Sequence, residues 1–357
     1  MSVEMNRANK SLDEVLRISR KEYRRVWLLD TPCPDVVEFR CFMAHLKFID
    51  LFAGIGGIRL PFDELGDENV FASEFNEKAC DTYEANFGHR PSGDITKIEA
   101  SDIPPHDLLL AGFPCQAFSI MGLGKGFADT RGTMFFEIER ILKHHRPKVV
   151  FLENVKQLVT HDKGRTFQVI ISSLMALGYH LHWKVLNALD FGLPQKRERI
   201  IIVGFQDERA AYHFDFKFPK KEHNLADILE DDSEVDPSLF ASEMILQKRQ
   251  ERVKDKDVFY PSIWHENKSG NISVLNHACA LRTGASYNYL LVNGIRRPSS
   301  RELLRFQGFP DSYKIAVSHQ EIRKQTGNSV PVPMIRAVAQ KIHYALDQAK
   351  IERKKNG

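Results

Sequence analysis

Apolar and polar positions follow a regular pattern from His45 to Phe205, where short apolar runs alternate with stretches that repeat at helical spacing. The predicted strands are 47–52, 70–75, 107–110, 148–153, 179–186 and 199–205, and the predicted helices are 76–87, 135–145 and 166–177. Strands that alternate with helices are typical of a doubly wound, mostly parallel sheet, whose ligands bind beyond the carboxyl ends of the strands. We therefore predict an α/β fold with its functional site at that edge.

The pattern divides the chain into four segments. Residues 1–44 carry a predicted helix followed by two prolines, which indicates an N-terminal extension joined by a linker. Residues 45–206 form the larger predicted domain. Residues 207–300 lose the alternation and are polar and irregular, so we expect a smaller, irregular, β-rich domain there. Residues 301–357, which end in a long helical pattern, are expected to return to the larger domain and complete it.

The composition is that of an ordinary globular protein, with 43% hydrophobic and 27% charged residues. No apolar run approaches the roughly 20 residues that span a bilayer, so we expect no membrane partner. The five cysteines are widely scattered and form neither a disulfide framework nor a Cys-x-x-Cys metal pair. We therefore predict a cytoplasmic protein without a metal site.

Positive charge is concentrated near the end of the irregular segment. The net charge of the chain is only +3, but residues 282–305 contain five arginines against a single acid, Glu302. These are Arg282, Arg296, Arg297, Arg301 and Arg305. Such clustering is what a phosphate-facing surface requires, although a solvated charged face has the same composition.

A cysteine follows the third predicted strand. The apolar run that ends at Leu110 is broken by Gly112, and Pro114 then leads into Cys115. A cysteine that a strand presents at the start of a loop can react as a thiolate, whereas a buried cysteine is only a small hydrophobic residue. Glycines at 122, 124 and 126 make the following loop adaptable, which favours the reactive role.

A glycine-rich turn follows the first predicted strand. The turn comprises Phe52, Gly54 and Gly56, and Glu74 ends the next strand about 20 residues later, as in sites that bind a ribose. The full dinucleotide pattern would require glycine where Arg59 stands. This difference favours a nucleoside cofactor without phosphates, such as S-adenosylmethionine. Asp94, near the expected end of the third crossover, could contact an adenine amino group. Taken alone, the glycine cluster could also be a simple turn.

Two further polar groups stand at predicted strand ends. Glu153 ends the fourth strand, where it could act as an acid or hydrogen-bond donor, or could simply cap the next helix. Gln195, Arg197 and Arg199 lie on one side of the entrance to the predicted strand 199–205, because alternate residues of an extended chain share a face. Three such side chains suit a planar polar ligand, although solvation of an edge strand would also explain them.

Together these motifs resemble the DNA (cytosine-5) methyltransferases of bacterial restriction-modification systems. They occur in the family's order: FAGIGG, Glu74, Asp94, GFPCQAFS, RGTMF, ENV, QKRER, RELLRFQGFP and QTGNSVPVP. The resemblance runs from about Lys47 to the C-terminus. It implies the fold of S-adenosylmethionine-dependent methyltransferases, and it assigns residues 207–300 to a target-recognition domain by position.

The resemblance also implies residue roles. Cys115 would be the nucleophile, Glu153 would engage cytosine N3, Arg199 would hold the base through its O2, and Arg197 would support the active site. The remaining positions imply a cofactor site formed by Phe52, Gly54, Gly56, Glu74 and Asp94, with Asn328 of the GNSV turn closing over it. One departure from the family is Met121, two residues after Ser119, on a loop where members vary. It would change how this loop fills the space left by an extruded base.

The partner implied is double-stranded DNA, modified by a monomer that works alongside a restriction endonuclease without stable contact. An RNA cytosine methyltransferase is the nearest alternative, and the variable segment of about 90 residues is large for that task. A DNA-binding regulator with an idle site conflicts with the intact set of Cys115, Glu153 and Arg199. A thiol hydrolase lacks a motif histidine beside Cys115.

Overall fold

The protein, described here from a computed structural model, is built around a six-stranded sheet. The structure describes residues 45–114 and 134–356. The strands of this sheet are β1 (Lys47–Leu51), β2 (Glu68–Ser73), β3 (Leu108–Gly112), β4 (Val149–Val155), β5 (His180–Asn187) and β7 (Glu198–Phe205). Their spatial order is β2-β1-β3-β4-β7-β5. The α/β architecture predicted from the sequence is thereby confirmed.

Four neighbouring strands are parallel and one runs the other way. β2, β1, β3 and β4 pair in parallel, whereas β7 is antiparallel to both β4 and β5. The mixed sheet departs from a wholly parallel one because no α-helix separates β5 from β7 in the chain, only a three-residue 3-10 helix and the short strand β6 (Gln195–Lys196). Without a crossover, the chain returns in the opposite direction. As a consequence, the amino end of β7 lies beside the carboxyl end of β4.

Helices cover both faces of the sheet. They are α1 (Arg59–Glu64), α2 (Glu77–Phe87), α3 (Met134–His145), α4 (Arg165–Ala176), α5 (Glu208–His213), α6 (Glu243–Val253), α7 (Ser300–Phe306), α8 (His319–Asn328) and α9 (Val332–Asn356). Alternate residues of β3 enter opposite cores: Leu108 and Leu110 pack with α1, α5 and α9, while Leu109 and Ala111 pack with α3 and α4. This alternation explains why the strand is apolar on both sides.

The last helix is joined to the start of the sheet. Nε2 of His343 in α9 lies 2.8 Å from Oδ2 of Asp67, and both residues are buried. The other oxygen of Asp67 accepts a hydrogen bond from the backbone N–H of Leu46, with an N–O distance of 2.9 Å. The C-terminal segment therefore completes the larger domain, as its helical pattern predicts.

The 207–300 segment is built mostly from short strands and short helices. A three-stranded antiparallel sheet has the order β11 (Leu290–Val292), β8 (Ile263–Glu266) and β9 (Ile272–Leu275). The two-residue strand β10 (Ala278–Cys279) pairs instead with β6 (Gln195–Lys196). Helix α6 packs against the small sheet through a cluster around Trp264. Other residues of the segment share a core with α7 and α8, so its independence as a domain stays a prediction.

Among the described residues, no helix is both long enough and apolar enough to cross a bilayer. The predicted N-terminal helix, within residues 1–44, lies outside the described residues.

Candidate active site

The carboxyl ends of four parallel strands bring the predicted site residues to one edge of the sheet. Phe52 follows β1, Glu74 follows β2 and Pro114 lies two residues beyond β3. Glu153 lies near the carboxyl end of β4. Gly112 of β3 is the pairing partner of Glu153. Cys115 itself lies outside the described residues, as do Met121, the three loop glycines and residues 131–133. Pro114, its immediate neighbour in the sequence, is exposed.

Glu153 forms an ion pair with Arg199 at this edge. Oε1 of Glu153 lies 2.8 Å from Nε of Arg199, and both side chains are largely buried. The contact follows from the antiparallel course of β7, which places Arg199 opposite Val155. The two motifs, separated in sequence, therefore meet in one polar site.

Burial shifts both members of this pair toward their neutral forms. Desolvation raises the pKa of Glu153, although Arg199 and Arg197 act against the increase. Desolvation also lowers the pKa of Arg199, and the negative charge of Glu153 opposes that change. A carboxyl group with a raised pKa takes up a proton more readily, so Glu153 is suited to donate a hydrogen bond.

The end of β3 is shaped to leave room for the carboxylate. A Cβ atom at Gly112 would lie 3.1 Å from Cδ1 of Ile58 and 3.4 Å from Oε2 of Glu153. The adjacent Asn154 donates from Nδ2 to the carbonyl oxygen of Phe113, with an N–O distance of 2.8 Å. The chain leading to Cys115 is therefore held against β4 up to Phe113.

Gln195 and Arg197 have internal partners rather than an open face. Gln195 donates to the carbonyl oxygen of Phe306 at 2.7 Å and accepts from the N–H of Leu281 at 3.1 Å. Arg197 donates to the carbonyl oxygens of Leu281 and Gly327, both at 3.0 Å, and also to that of Ser329. The expectation that all three polar side chains of this strand face a planar ligand is wrong, because two are used internally.

Arg197 carries its charge in a buried setting. Burial and, to a smaller extent, the nearby charge of Arg199 together lower the pKa of Arg197 to about 9, although Glu153 opposes the shift. No carboxylate is within ion-pair distance of Arg197 among the described residues, so backbone carbonyl oxygens stabilise it. Arg197 therefore joins β6 and β7 to the segment after α8, and a supporting role at the site stays a prediction.

The turn after β1 is bonded to Glu74. The N–H of Gly54 donates to Oε2 of Glu74 at 2.9 Å, and the N–H of Asn76 donates to Oε1 at 2.8 Å. Phe52 adopts a left-handed φ of 56°, as do Gly54 at 55° and Gly56 at 74°. At Gly56 a Cβ atom would be 2.2 Å from the Phe87 ring, so this position requires glycine.

Arg59, which replaces the third glycine of the dinucleotide pattern, is buried beneath this turn. It donates to Oδ2 of Asp63 at 2.7 Å and to the hydroxyl of Tyr83 at 2.9 Å. Its guanidinium also lies 4.2 Å from the centroid of the Phe87 ring. A packed arginine therefore occupies the place where the dinucleotide pattern requires glycine for close packing of the helix on the strand, which fits a cofactor without phosphates.

Phe75 is a candidate site residue that the sequence reasoning missed. It directly follows Glu74 and is 72% exposed, the second highest exposure among the large hydrophobic side chains described. An exposed aromatic ring beside the carboxylate of Glu74 is suited to stacking on a nucleobase. The signal in the sequence was an aromatic residue placed immediately after an acid at a strand end.

Asp94 and Asn328 have local partners. Oδ1 of Asp94 accepts from the N–H and the hydroxyl of Thr96, at 3.0 and 2.8 Å, and these bonds lower the pKa of Asp94. The exposed Asn328, at the end of α8, accepts from the hydroxyl of Thr283 at 2.7 Å. The following residue, Ser329, packs against Gly57 of the first turn. The GNSV segment is thus adjacent to the turn, and the cofactor roles of both residues stay predictions.

The arginine cluster near the end of the irregular segment is largely internal. Arg296 is 1% exposed and forms two hydrogen bonds of 2.8 Å with the carboxylate of Glu302. Arg297 is also buried and bonds to Asn288 at 3.0 Å, and Arg301 donates to the carbonyl oxygen of Tyr313 at 2.9 Å. The expectation of a phosphate-facing surface is therefore wrong for Arg296, whose charge is neutralised inside the protein.

Comparison with known proteins gives one consistent family. Residues 46–344 match the family described as C-5 cytosine-specific DNA methylase. The chain is 57% identical over 308 residues to type II methyltransferase M.HaeII of Haemophilus aegyptius, covering 86% of this chain and 96% of that protein. It is 55% identical over 311 residues to type II methyltransferase M.NgoBI of Neisseria gonorrhoeae, covering 87% and 96%.

Solved structures share the fold at much lower identity. A variant of DNMT2 from Spodoptera frugiperda superposes with a TM-score of 0.65 at 20% identity, covering 84% of this chain and 99% of that one. The methyltransferase EhMeth of Entamoeba histolytica gives a TM-score of 0.65 at 17% identity, covering 85% and 99%.

Proposed function

The chain belongs to the family of C-5 cytosine-specific DNA methylases, and on that premise we propose that it methylates a cytosine that has been extruded from duplex DNA. It is a cytosine-5 DNA methyltransferase of the restriction-modification type. The observation that carries the proposed mechanism is the buried ion pair of Glu153 and Arg199, which stands opposite the end of β3.

The residues at the ends of β1 and β2 would hold the methyl donor, S-adenosylmethionine. Glu74 suits the ribose hydroxyls, because each of its oxygens accepts one backbone N–H and retains capacity for another donor. The open turn at Gly54, together with the exposed ring of Phe75, is compatible with a nucleoside lying on this edge. When bound, the donor supplies an electrophilic methyl group.

The reacting base would be activated by three protein groups. The thiolate of Cys115 adds to C6 of cytosine, which breaks the aromatic system and makes C5 electron-rich. Glu153, with its pKa raised by burial, donates a hydrogen bond at N3 where charge develops. Arg199 can contact O2 of the base while it orients Glu153. Loss of the C5 proton after methylation then expels the sulfur of Cys115 and restores the ring.

Extrusion of the base follows from the geometry of this chemistry. C6 is shielded by stacking within a duplex, and the Glu153–Arg199 pair is recessed at the sheet edge. An enzyme that acts on such an atom takes the base out of the stack. We propose that a monomer does this and protects host DNA from a cognate endonuclease. Recognition of the target by residues 207–300 is part of the same proposal.

The Cys115→Ser variant tests the covalent mechanism. We expect methyl transfer to be abolished while cofactor binding is nearly unchanged, because the nucleophile and the cofactor turn lie on different segments. Transfer of labelled methyl groups to duplex DNA and to RNA should be measured in parallel, with cofactor affinity followed by calorimetry.

A duplex with 5-fluorocytosine at the target should trap the wild-type enzyme covalently, since fluorine is not lost as a proton is. Substantial residual activity in the serine variant would contradict the covalent mechanism. Transfer to RNA but not to duplex DNA would instead support the RNA methyltransferase alternative.

A further inference from the structure

Two arginines pack against one exposed tyrosine ring. The guanidinium of Arg297 is 4.1 Å from the centroid of Tyr287, and that of Arg323 is 4.6 Å from it. Tyr287 is 47% exposed. Arg297 and Tyr287 belong to the irregular segment, whereas Arg323 is in α8 of the return segment. The stack therefore joins the two segments that the sequence assigns to recognition and to catalysis.

A third arginine completes a cationic surface. Arg282 is exposed and its guanidinium lies 5.2 Å from the centroid of Tyr289. Within the described part of the chain, Arg282, Arg297 and Arg323 have no carboxylate at ion-pair distance. The three arginines, with Tyr287, Tyr289 and His319, line one small pocket whose lining contains no acid. We refer to Arg282, Tyr287 and Arg323 as the arginine–tyrosine surface.

The neighbouring groups report the same excess of positive charge. The pKa of His319 is lowered by burial and then by Arg323 and Arg297, although Asp236 acts in the opposite direction. The adjoining cleft, with a volume of about 520 Å³, is lined by Arg282 and Lys268 and by a single acid, Glu266. That acid is already paired with Arg249 at 2.8 Å and with Arg252 at 2.7 Å.

The surface is attached to the framework of the active site. The residue before Arg282, Leu281, bonds through its carbonyl oxygen to Arg197, two residues from Arg199. The residue after it, Thr283, bonds to Asn328 at 2.7 Å. A Cβ atom at Gly327 would lie 2.6 Å from the backbone nitrogen of Thr283, so this close approach requires glycine. An anion bound here is therefore fixed relative to Glu153 and Arg199.

From this arrangement we propose that the arginine–tyrosine surface binds backbone phosphates of the DNA duplex and sets its register over the active site. Arg282 is exposed and Arg323 is half-buried, and neither has a carboxylate partner among the described residues, which suits both guanidinium groups to phosphate. The ring of Tyr287 holds Arg323 in place without neutralising it. The proposal deepens the proposed function and rests on it, because DNA is taken as the substrate. It assigns the phosphate contacts to Arg282 and Arg323 rather than to Arg296.

Salt dependence of binding to a short fluorescent duplex tests the proposal. Each of Arg282→Gln and Arg323→Gln should flatten the plot of log affinity against log salt by about one unit of slope. Arg353→Gln is the matched control, since Arg353 is an exposed arginine on α9 that is paired with Asp207 at 2.8 Å. The control should keep the wild-type slope. Arg323→Lys should keep the slope because it keeps the charge.

Variants of the ring separate phosphate binding from simple packing. Tyr287→Phe should retain affinity, because the cation stack does not need the hydroxyl. Tyr287→Ala should reduce the affinity for the duplex about two- to fivefold, because Arg323 loses its stacking partner. The proposal would be overturned if both glutamine variants unfolded at the wild-type temperature and both kept the wild-type slope of log affinity against log salt.

Methyl transfer distinguishes this failure from failure of the proposed function. A wild-type enzyme that methylates DNA while both slopes stay unchanged would refute the phosphate contacts alone. A wild-type enzyme that transfers no methyl group to any DNA would refute the proposed function, whatever the slopes.

Discussion

At the scale of single residues, Asp50 is the most unusual charge in the sheet. It lies on β1, is 1% exposed, and neither of its carboxylate oxygens has a hydrogen-bond partner among the described residues. Burial raises its pKa from 3.8 to about 8; Arg59 opposes the rise, and the charges of Asp63 and Glu74 add to it. The charge of Asp50 in turn contributes to the raised pKa of the Tyr83 hydroxyl, whose largest cause is burial.

Stability should therefore depend on pH through Asp50. Between about pH 4 and pH 8 the folded carboxyl keeps a proton that the unfolded chain has lost, so the free energy of unfolding falls as pH rises. Asp50→Asn removes this term and should be more stable than the wild type at pH 8, by on the order of a few kcal/mol. The difference should approach zero near pH 4. Denaturant unfolding at several pH values measures it.

The control for this experiment is Asp102→Asn, which alters an exposed carboxyl. It should leave the pH dependence of unfolding unchanged. If the Asp50 variant followed the wild type in parallel across the whole range, the buried carboxyl would have to be ionised in the folded protein.

The individual site residues were partly predictable. Glu74 and Glu153 each follow a strongly apolar strand, and that local pattern located them at the sheet edge. The ion pair of Glu153 with Arg199 depends on the pairing of β4 with β7, which no local pattern contains. Phe75 was missed because exposure, rather than residue type, distinguishes it from a core aromatic.

At the scale of elements, the ion pair of Arg296 and Glu302 fixes the start of α7. Glu302 also accepts the N–H of Ser299 at 2.8 Å while the hydroxyl of Ser299 accepts the N–H of Glu302, which forms a capping box. Arg296→Gln should destabilise the protein by about 3–5 kcal/mol, because Glu302 is 0% exposed and would lose its partner. Thermal or denaturant unfolding measures the loss.

The same variant should leave the salt dependence of DNA binding unchanged when the folded protein is measured. For the stability measurement the control is Arg305→Gln. The partner of Arg305, Asp311, is 65% exposed, so this ion pair contributes only about 0–1 kcal/mol to the free energy of unfolding. If Arg296→Gln instead flattened the salt dependence of DNA binding and did not lower stability, Arg296 would have to contact DNA phosphate.

The elements themselves were more predictable than their pairing. Apolar periodicity located all six strands of the main sheet to within two residues at every end. The central strands are buried, and the edge strand β5 packs partly buried side chains, Leu181 and Trp183, against the core. The direction of β7 was not predicted, since it depends on the absence of a crossover helix. Arg296 was read as a surface charge for a similar reason. The partner of Arg296, Glu302, is close in sequence. Arg296 also donates to the carboxylate of Asp232 and to the carbonyl oxygen of Glu230, however, and these residues lie more than 60 positions away in the chain.

At the scale of the whole molecule, the hydrophobic cores cross the boundaries that the sequence suggests. Phe214 and Phe216, just after α5, pack in the core beneath α9 and so belong with the larger domain. Ile263 and Leu290 of the small sheet share a core with Phe306 and Phe309 of the return segment. Composition changes near residue 207, but packing joins residues on both sides of that change.

This packing sharpens where target specificity can be exchanged. The transferable unit should be residues 219–299, which begin after the phenylalanines of the α9 core and end at Ser299, the N-cap of α7. Placed in a related type II methyltransferase of known target, this segment should carry its own target with it. The chemistry should be unchanged, because Glu153, Arg199 and the cofactor turn come from the recipient.

Bisulfite sequencing of DNA from cells that express the chimera identifies the methylated site. The recipient with its nucleophilic cysteine changed to serine is the control, since it should leave every site unmethylated. The shared core makes folding the demanding step, so the chimera should also carry this chain's Phe306 and Phe309 where the recipient differs. A folded, active chimera that still methylated the recipient's original site would place recognition outside residues 219–299.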